Sequence, residues 1–267
     1  MITDFSYDGF DACAKALKLD ISHAELAAFA QDNGIDRSQL NAVMTVFEHL
    51  REKKRQTTIE TILRLSRLPQ KDQKTFETFD FSVIRGRDVE KLRALSSLSA
   101  IYAHRNLAFI GPAGTGKTHL AQAFGYECCK RGMKTYFIKM SELRDRFTAA
   151  RRAGKEASVL NGLVRPSCLI IDEVGHCEFD KQNTRLFFDL VDRRYNKEGS
   201  YNIVFTSNKN PSQWRENFNE DDTLLCALDR IFDEATVFTI KGESFRGKHM
   251  ERISLQSGRL KDKQTAD

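Results

Sequence analysis

The glycine-rich segment at residues 111–118 (GPAGTGKT) constrains this chain more than any other stretch, because it fits the pattern G-x-x-x-x-G-K-[ST] at every fixed position. An apolar run at residues 107–110 precedes it, as expected for a strand buried on both faces. Residues 119–131 follow it with apolar side chains at helical spacing. Strand, glycine turn and helix in this order direct backbone N–H groups at a bound phosphate. The sequence therefore predicts a nucleoside triphosphate site.

Two side chains at the end of this phosphate loop have specific predicted roles. Lys117 would reach the β- and γ-phosphate oxygens, and the hydroxyl of Thr118 would be a ligand of Mg²⁺. The glycines would let the backbone turn tightly enough for its N–H groups to converge on the phosphate. The predicted nucleotide-binding residues are Gly111, Pro112, Ala113, Gly114, Thr115, Gly116, Lys117, Thr118 and His119.

Polar side chains also end two later apolar runs. Asp172 and Glu173 follow residues 168–171, and Asn208 follows residues 202–207. Because the carboxyl ends of parallel strands meet at one edge of a sheet, we expect all three near the phosphate loop. Asp172 would hold Mg²⁺ through water, and Glu173 would polarise the attacking water. Asn208 would contact the γ-phosphate or that water, or else it belongs to a plain turn.

Composition excludes several classes of protein. The chain has 267 residues, of which 40% are hydrophobic and 30% charged, as in a globular protein with a substantial core. No apolar run approaches the roughly 18–20 residues needed to span a bilayer, so we expect no membrane contact. The six cysteines show no metal-ligand spacing and are expected to be reduced thiols of a cytoplasmic protein.

The N-terminal region is acidic and helical. Residues 1–50 hold eight acidic and three basic side chains, and residues 8–50 show three segments of helical periodicity. The expected apolar faces are Phe10, Ala14 and Leu17, then Leu26, Phe29 and Ala30, then Leu40, Val43 and Phe47. A helix-turn-helix that reads DNA is one interpretation. The acidic charge favours instead a module that contacts protein.

A basic segment follows this module. Residues 51–75 hold eight basic and three acidic side chains, and residues 48–68 are predicted to form a separate helix ended by a proline. That helix is either a solvated linker or a nucleic-acid contact. Residues 75–82 alternate aromatic and polar side chains, as an edge strand or an anchoring arm would. Residues 88–103 are predicted to form one amphipathic helix.

The apolar runs together predict the fold. They occur at residues 107–110, 134–140, 168–171, 202–207 and 237–240. Helical periodicity between them predicts a five-stranded parallel sheet with helices on both faces, a three-layer αβα fold. We expect this domain over residues 69–267, after a small all-α domain with its basic linker helix over residues 1–68. Only 27 residues follow the fifth strand, which is too few for a full C-terminal helical lid.

One further helix has an unusual charge. Residues 141–153 are predicted to be helical, and the segment from 144 to 165 is strongly basic. An ordinary exposed helix would mix the signs of charge more evenly, so this surface is predicted to contact DNA. The predicted DNA-binding residues are Arg144, Arg146, Arg151, Arg152 and Lys155.

These landmarks together resemble the AAA+ ATPases, and most closely the IstB-like transposition helper ATPases, relatives of the DnaC helicase loaders. The resemblance covers about residues 75–250. It is carried by residues 111–120 (GPAGTGKTHL), 168–175 (CLIIDEVG), 206–208 (TSN), Trp214, 228–231 (LDRI) and 241–246 (KGESFR). It implies ATP and Mg²⁺ as ligands, Asn208 as first sensor, Arg246 as second sensor, and Arg230 as an arginine finger acting on a neighbouring subunit.

The resemblance also implies a function. The chain would be an ATPase that assembles as a homo-oligomer on double-stranded DNA and recruits or stimulates a transposase. The alternative is a replicative helicase loader, whose partner would be a helicase held by the N-terminal helices. A small-molecule kinase, a third possibility, has no need for Asn208, Arg230 and a basic helical surface together.

Overall fold

Five parallel strands form the centre of this computed structural model, which describes residues 7–84, 86, 88–219, 221–233, 235–242 and 244. The strands are β1 (Asn106–Ile110), β2 (Thr135–Lys139), β3 (Cys168–Val174), β4 (Asn202–Ser207) and β5 (Ala235–Thr239). Their order across the sheet is β2-β3-β4-β1-β5. The predicted five-stranded parallel sheet is therefore confirmed, and β1 lies inside it, between β4 and β5.

Helices lie before the sheet and on both of its faces. The α-helices of the described residues are α1 (Tyr7–Leu17), α2 (His23–Asp32), α3 (Arg37–Leu65), α4 (Val89–Arg93), α5 (Ser99–Tyr102), α6 (Lys117–Lys130), α7 (Met140–Arg152), α8 (Glu156–Val164), α9 (Lys181–Tyr195) and α10 (Asp221–Phe232). None of them combines the length and apolar character needed to cross a bilayer.

Alternation along the strands divides the core into two layers. In β3, Cys168 and Ile170 pack on the face that also receives α6 and the end of α3. Leu169 and Ile171 point to the other face and pack with α7, α8, α9 and α10. Because all four side chains are fully buried, both faces of the strand need a helical cover. The three-layer arrangement follows from that burial.

The third N-terminal helix and the basic helix, predicted to be separate, are one continuous helix. α3 spans 29 residues, or roughly 44 Å at 1.5 Å per residue. Residues 48–51 (EHLR) contain neither proline nor glycine, so nothing interrupts the helix there. The start of α3 packs with α1 and α2 around Phe10 and Met44. Its end packs through Ile62 into the core beside the sheet, so α3 joins the two cores.

Two residues predicted to be in the N-terminal core are exposed. Phe29 is 57% exposed and Val43 is 37% exposed. The buried positions are Leu26 and Ala30 on α2, while on α3 Met44 takes the place predicted for Val43. The buried face of α3 is therefore formed by Leu40 and Met44, which are one turn apart. Which residues face the core depends on how the three helices pack together.

The segments before β1 also differ from their predictions. Residues 75–82 form turns and a short 3₁₀ helix (Phe81–Val83), with Phe76 and Phe79 buried, so the anchoring arm fits and the edge strand is wrong. The single helix predicted at 88–103 is broken into α4, a 3₁₀ turn and α5. The break falls at Leu98, which has a left-handed backbone (φ 61°) and a fully buried side chain.

A buried arginine fixes the amino ends of β3 and β4. Arg194, on α9, is 1% exposed, and burial lowers its pKa to about 10. Its guanidinium donates to the carbonyl oxygens of Leu163, Val164, Pro166, Ser167 and Asn202 at 2.6–3.1 Å. One side chain thus supplies hydrogen-bond donors to the carbonyl oxygens of the loop between α8 and β3 and of the first residue of β4. A buried charge is tolerated here because its hydrogen bonds replace water.

We expect Arg194→Met to lower the free energy of unfolding by roughly 3–5 kcal/mol, because it leaves buried carbonyl groups without donors. Urea denaturation followed by circular dichroism measures this. The matched control is Arg193→Met. The Arg193 side chain is 41% exposed and pairs with Asp189 on the same helix, so its loss should cost less than about 1 kcal/mol. Equal unfolding midpoints for the two variants would contradict a stabilising role of the Arg194 hydrogen bonds.

Candidate nucleotide-binding site

The carboxyl ends of β1, β3 and β4 open onto one cavity of about 570 Å³. Its walls are formed by Lys74, Ala113, Gly114, Gly116, Lys117, Thr118, His119, Gln122, Glu173, His176, Thr206, Ser207 and Asn208. Residues from the phosphate loop and from the ends of two strands, predicted from separate segments of the sequence, therefore surround the same space. Their roles as ligands stay predictions.

The phosphate loop has the backbone that its glycines were expected to allow. Gly114 has φ +79° and Gly116 has φ +90°, in the left-handed region that favours glycine. A side chain at Gly114 would also clash with Ser244, which lies against the loop. Gly116 caps α6 without any side-chain acceptor. The first N–H groups of the helix are thus directed at the cavity mouth without a capping oxygen, as in anion sites at helix N-termini.

Lys117 folds back across the loop. Its Nζ donates to the carbonyl oxygen of Pro112 at 2.6 Å, and the side chain is only 7% exposed. Thr115 donates to the same carbonyl at 2.9 Å. The ammonium group is therefore held beside the loop backbone, where a phosphate would meet both the lysine and the N–H groups.

A buried carboxylate links the loop to two strands. Asp172 Oδ1 accepts hydrogen bonds from Thr118 Oγ1 at 2.9 Å and from Thr206 Oγ1 at 2.5 Å. The side chain is 1% exposed, and burial raises its pKa. A carboxylate beside a hydroxyl is the hard-oxygen donor set that suits Mg²⁺ together with nucleotide phosphates. The residues predicted as metal ligands, Thr118 and Asp172, therefore fit that ion.

Glu173 has an unusual backbone. It is a non-glycine residue with φ +60°, a conformation that costs free energy and clusters at functional sites. Its N–H donates to Thr206 Oγ1 at 3.0 Å, and its carboxylate pairs with Lys139 Nζ at 3.1 Å. Glu173 is partly exposed at the cavity wall. No role was predicted from the sequence for Lys139 or Thr206. Their positions near the carboxyl ends of two predicted strands could have indicated that they lie at the site.

Asn208 lies where the sequence places it, at the tip of β4 and on the cavity wall. Its Nδ2 is 3.2 Å from His176 Nε2. The next residue, Lys209, donates its N–H to Ser207 Oγ in a tight turn. Turn geometry and an amide directed at the cavity thus occur together, so the two interpretations of this position are compatible.

His119 contacts the segment before the domain core. Its Nε2 lies 2.8 Å from the Thr75 carbonyl oxygen, and its ring packs edge-on against Phe79. Burial lowers the pKa of His119, so a neutral ring that donates from Nε2 fits this contact. Phe79 also covers Gly116, whose missing side chain makes room for the ring. His119 and Phe79 together anchor the arm beside the loop, a role that the alternation of aromatic residues had suggested.

Arg230 lies at the end of the sheet where the strands begin, opposite the end that carries the phosphate loop. It lines a separate cavity of about 310 Å³ with Asn106, the first residue of β1. Its guanidinium pairs with Asp192 at 3.3 Å and lies over the Phe188 and Tyr195 rings. The side chain is 34% exposed. Because the phosphate loop follows the last residue of β1, Arg230 stands a full strand away from the loop of its own chain.

The second predicted sensor, Arg246, lies outside the described residues. Ser244, two positions before it, lies against Gly114 in the phosphate loop. Backbone pairing of Ile240 N–H with the Ile110 carbonyl oxygen at 2.7 Å brings the chain to this point. The described part of the chain thus reaches the phosphate loop at Ser244.

The predicted DNA-binding residues do not form one uniform face. Lys155 lies beyond the end of α7 and caps α8, because Gly154 ends the helix. Arg151 pairs with Asp180 at 2.9 Å and Arg144 with Asp145 at 2.8 Å. The other two arginines have different surroundings. The Arg146 guanidinium contacts the Tyr136 hydroxyl and ring, whereas Arg152 is exposed. Neither Arg152 nor Lys155 forms an ion pair with a described residue.

We expect Thr206→Val to lower hydrolysis of the nucleoside triphosphate about tenfold or more, since it removes a hydrogen bond from Asp172 and one from the Glu173 N–H. Steady-state phosphate release measures this. Nucleotide affinity should change by less than about threefold, because the Thr206 hydroxyl bonds to Asp172 and to the Glu173 N–H, and these groups are not expected to bind the phosphates directly. Thr206→Ser, which keeps the hydroxyl, is the control. Equal activity of the valine and serine variants would contradict the role of the hydroxyl.

Comparison with known proteins identifies the family of this chain. The family model described as IstB-like ATP binding protein matches residues 12–253. An ATP-binding protein of insertion sequence IS5376 from Geobacillus stearothermophilus is 35% identical over 237 residues, which cover 89% of this chain and 90% of the relative. An ATP-binding protein of insertion sequence IS21 from Pseudomonas aeruginosa is 34% identical over 200 residues, covering 75% and 74%.

Solved structures support the fold. AMPPCP-bound DnaA from Aquifex aeolicus matches with a TM-score of 0.53 and 23% identity, covering 66% of this chain and 51% of that chain. The DnaC helicase loader matches with a TM-score of 0.52 and 19% identity, covering 63% and 97%. At these identities the likeness shows a P-loop AAA+ fold and no more. With a family model that spans most of its length, the chain belongs to the family of IstB-like ATP binding proteins.

Proposed function

We propose that this protein is an ATPase that assembles as an oligomer on double-stranded DNA in the cytoplasm and recruits or stimulates a transposase. One observation carries the proposal for hydrolysis. Lys117, Thr118 and Glu173 line a single cavity, and the buried Asp172 is hydrogen-bonded to Thr118 behind its wall. Arg230 lies at the other end of the strands, where β1 begins. This is the arrangement expected of a site that a second copy completes.

The residues of the cavity have distinct roles in hydrolysis. The loop N–H groups and Lys117 bind the phosphates of ATP, and Thr118 with Asp172 would hold Mg²⁺. When bound, Mg²⁺ supplies positive charge that offsets the charge developing on the transferred phosphoryl group. Glu173 orients and polarises the attacking water, and Asn208 positions that water or the γ-phosphate. For Glu173 to act, its carboxylate must leave Lys139, the partner that it holds at 3.1 Å.

The remaining charges come from other segments. Arg230 would approach the γ-phosphate of a neighbouring copy, where an arginine finger is worth on the order of 10³–10⁵ in rate in other NTPases. Arg246 would act as second sensor; Ser244, two positions earlier in the sequence, lies against Gly114 of the loop. Hydrolysis would then depend on assembly, so that ATP binding and oligomer formation are coupled.

Mixing two inactive variants tests the contribution in trans. Lys117→Ala should fail to bind ATP, and Arg230→Ala should bind ATP without hydrolysing it. Mixed on double-stranded DNA, they should recover roughly a quarter of wild-type hydrolysis under random assembly, since some intact sites then face intact arginines. Measurement of phosphate release against mixing ratio gives the result.

The control mixes Arg230→Ala with a double variant that lacks both Lys117 and Arg230. This mixture should stay inactive, because no subunit supplies the arginine. Normal turnover by Arg230→Ala alone, or no recovery in the first mixture, would contradict action in trans.

Glu173→Gln should bind ATP without hydrolysing it and should therefore remain in the DNA-bound assembly.

DNA binding rests on the basic segment around α7. Of the five predicted residues, Arg152 and Lys155 are exposed and without an ion pair to a described residue. Arg144 and Arg151 each already have a carboxylate partner, and Arg146 is held at Tyr136. Exposed, unpaired cations bind phosphates at the least cost, because no existing ion pair must break. We therefore place the main phosphate contacts at Arg152 and Lys155.

Salt dependence tests this placement. Replacing both Arg152 and Lys155 by alanine should weaken binding to unrelated double-stranded sequences equally and lower the slope of log affinity against log salt by about two. Arg151→Ala should lower the slope by less than one, because Arg151 is paired with Asp180. Fluorescence anisotropy over a salt series measures both. An unchanged slope in the double variant would remove this surface from the DNA contact.

A replicative helicase loader is the second candidate. Its support is the structural likeness to the DnaC helicase loader, which shows the fold alone. The names of the relatives favour transposition, since the proteins from Geobacillus stearothermophilus and Pseudomonas aeruginosa belong to insertion sequences. Co-purification with a transposase or with a replicative helicase separates the two candidates.

A further inference from the structure

A second large groove shares no lining residue with the nucleotide-binding cavity and lies between the end of α3, the start of β2 and the end of α8. It has a volume of about 680 Å³. Its walls are formed by Lys54, Thr57, Thr58, Thr61, Ile62, Leu65, Gly132, Lys134, Thr135, Tyr136, Gly162, Arg165 and Pro166. The site described above uses none of these residues, and a groove of this size can receive part of another molecule.

The floor of the groove is apolar. Leu65 is 65% exposed, more than any other large hydrophobic side chain among the described residues. The hydroxyls of Thr57, Thr58 and Thr61 donate to carbonyl oxygens one turn earlier in α3. With these hydroxyls tied to the helix backbone, the threonines contribute mainly their methyl groups to the wall. A contiguous apolar surface of this kind is typical of an interaction site.

The rim of the groove is positively charged. Lys54, Lys134 and Arg165 come from three different elements and converge on it. No aspartate or glutamate is among the residues that line the groove. None of the three cations forms an ion pair with a described residue. Arg67, by contrast, is paired with Glu142. With three such cations and no carboxylate among its lining residues, the rim carries a local excess of positive charge.

The groove also lies at the edge of the sheet. β2 is the outermost strand, and its start, at Lys134 and Thr135, forms part of the groove wall. The end of α3 covers the strand further along, where Phe137 N–H donates to the Ser66 carbonyl oxygen at 2.8 Å. An uncovered strand edge can bind an extended peptide through its backbone.

We propose that this groove binds a short segment of the transposase in which a large apolar side chain is flanked by carboxylates. The inference rests on the proposed function, because that function supplies the partner. Charge complementarity selects an acidic segment, and the exposed Leu65 selects an apolar side chain. Double-stranded DNA fits less well, since a phosphate backbone has no group for the apolar floor.

Peptide binding to the full-length protein tests the inference. The probe is a set of short overlapping fluorescein-labelled peptides that covers the transposase encoded beside this protein, measured by fluorescence anisotropy. A peptide with acidic residues around an apolar one should bind. Leu65→Asp and Lys134→Glu should each weaken it about tenfold or more, because each places a carboxylate in the groove.

Two variants on the same helix are matched controls. Val46→Asp changes an apolar residue of α3 that is 56% exposed and outside the groove, and Lys53→Glu reverses the charge next to Lys54. Both should bind the peptide within about twofold of wild type, as expected for surface changes outside a contact. Unfolding midpoints and ATP binding of all four variants should match the wild type.

The outcomes separate this inference from the function on which it depends. If the intact transposase binds but no peptide does, or if the bound peptide ignores Leu65→Asp and Lys134→Glu, the groove is not the site and the inference is wrong. If the groove variants weaken DNA binding instead, the surface contacts nucleic acid and the inference is also wrong. If the intact transposase does not bind wild-type protein at all, the proposed function fails with it.

Discussion

The buried carboxylate of Asp172 is the interaction on which the rest of the site depends. Removing a carboxylate from water costs several kcal/mol unless hydrogen bonds replace the solvent. Thr118 and Thr206 supply those bonds, one from the helix after the phosphate loop and one from β4. The sheet order places β4 between β3 and β1, so both hydroxyls reach one oxygen. The strand order is therefore a condition for burying this charge.

The same parallel arrangement separates the charges needed for hydrolysis. Every strand ends on the edge where the phosphate loop opens, and every strand begins on the other. Arg230, at the end of α10 and just before β5, must lie at the beginning edge. It is held there by Asp192 and by two aromatic rings. A phosphoryl group in the loop of the same chain lies at the other end of the strands, which is why we propose that hydrolysis requires assembly.

The long helix α3 gives the protein two surfaces of opposite character. Its first half packs in the acidic three-helix module, and its second half bears the basic segment and ends against the sheet. α3 also packs on α6, the helix that begins at Lys117 directly after the phosphate loop. A partner bound along α3 would thus contact an element that packs directly on the nucleotide-binding helix.

The sequence by itself determined the features that depend on neighbouring residues. The glycine loop, the buried strands and the positions of Asp172, Glu173 and Asn208 at strand ends follow from local spacing, and the sheet confirms the strands. Tertiary contacts alone decided the exposure of Phe29, the left-handed backbone of Glu173 and its pairing with Lys139. The physical reason is that each of these depends on side chains far apart in sequence, whose approach no local period encodes.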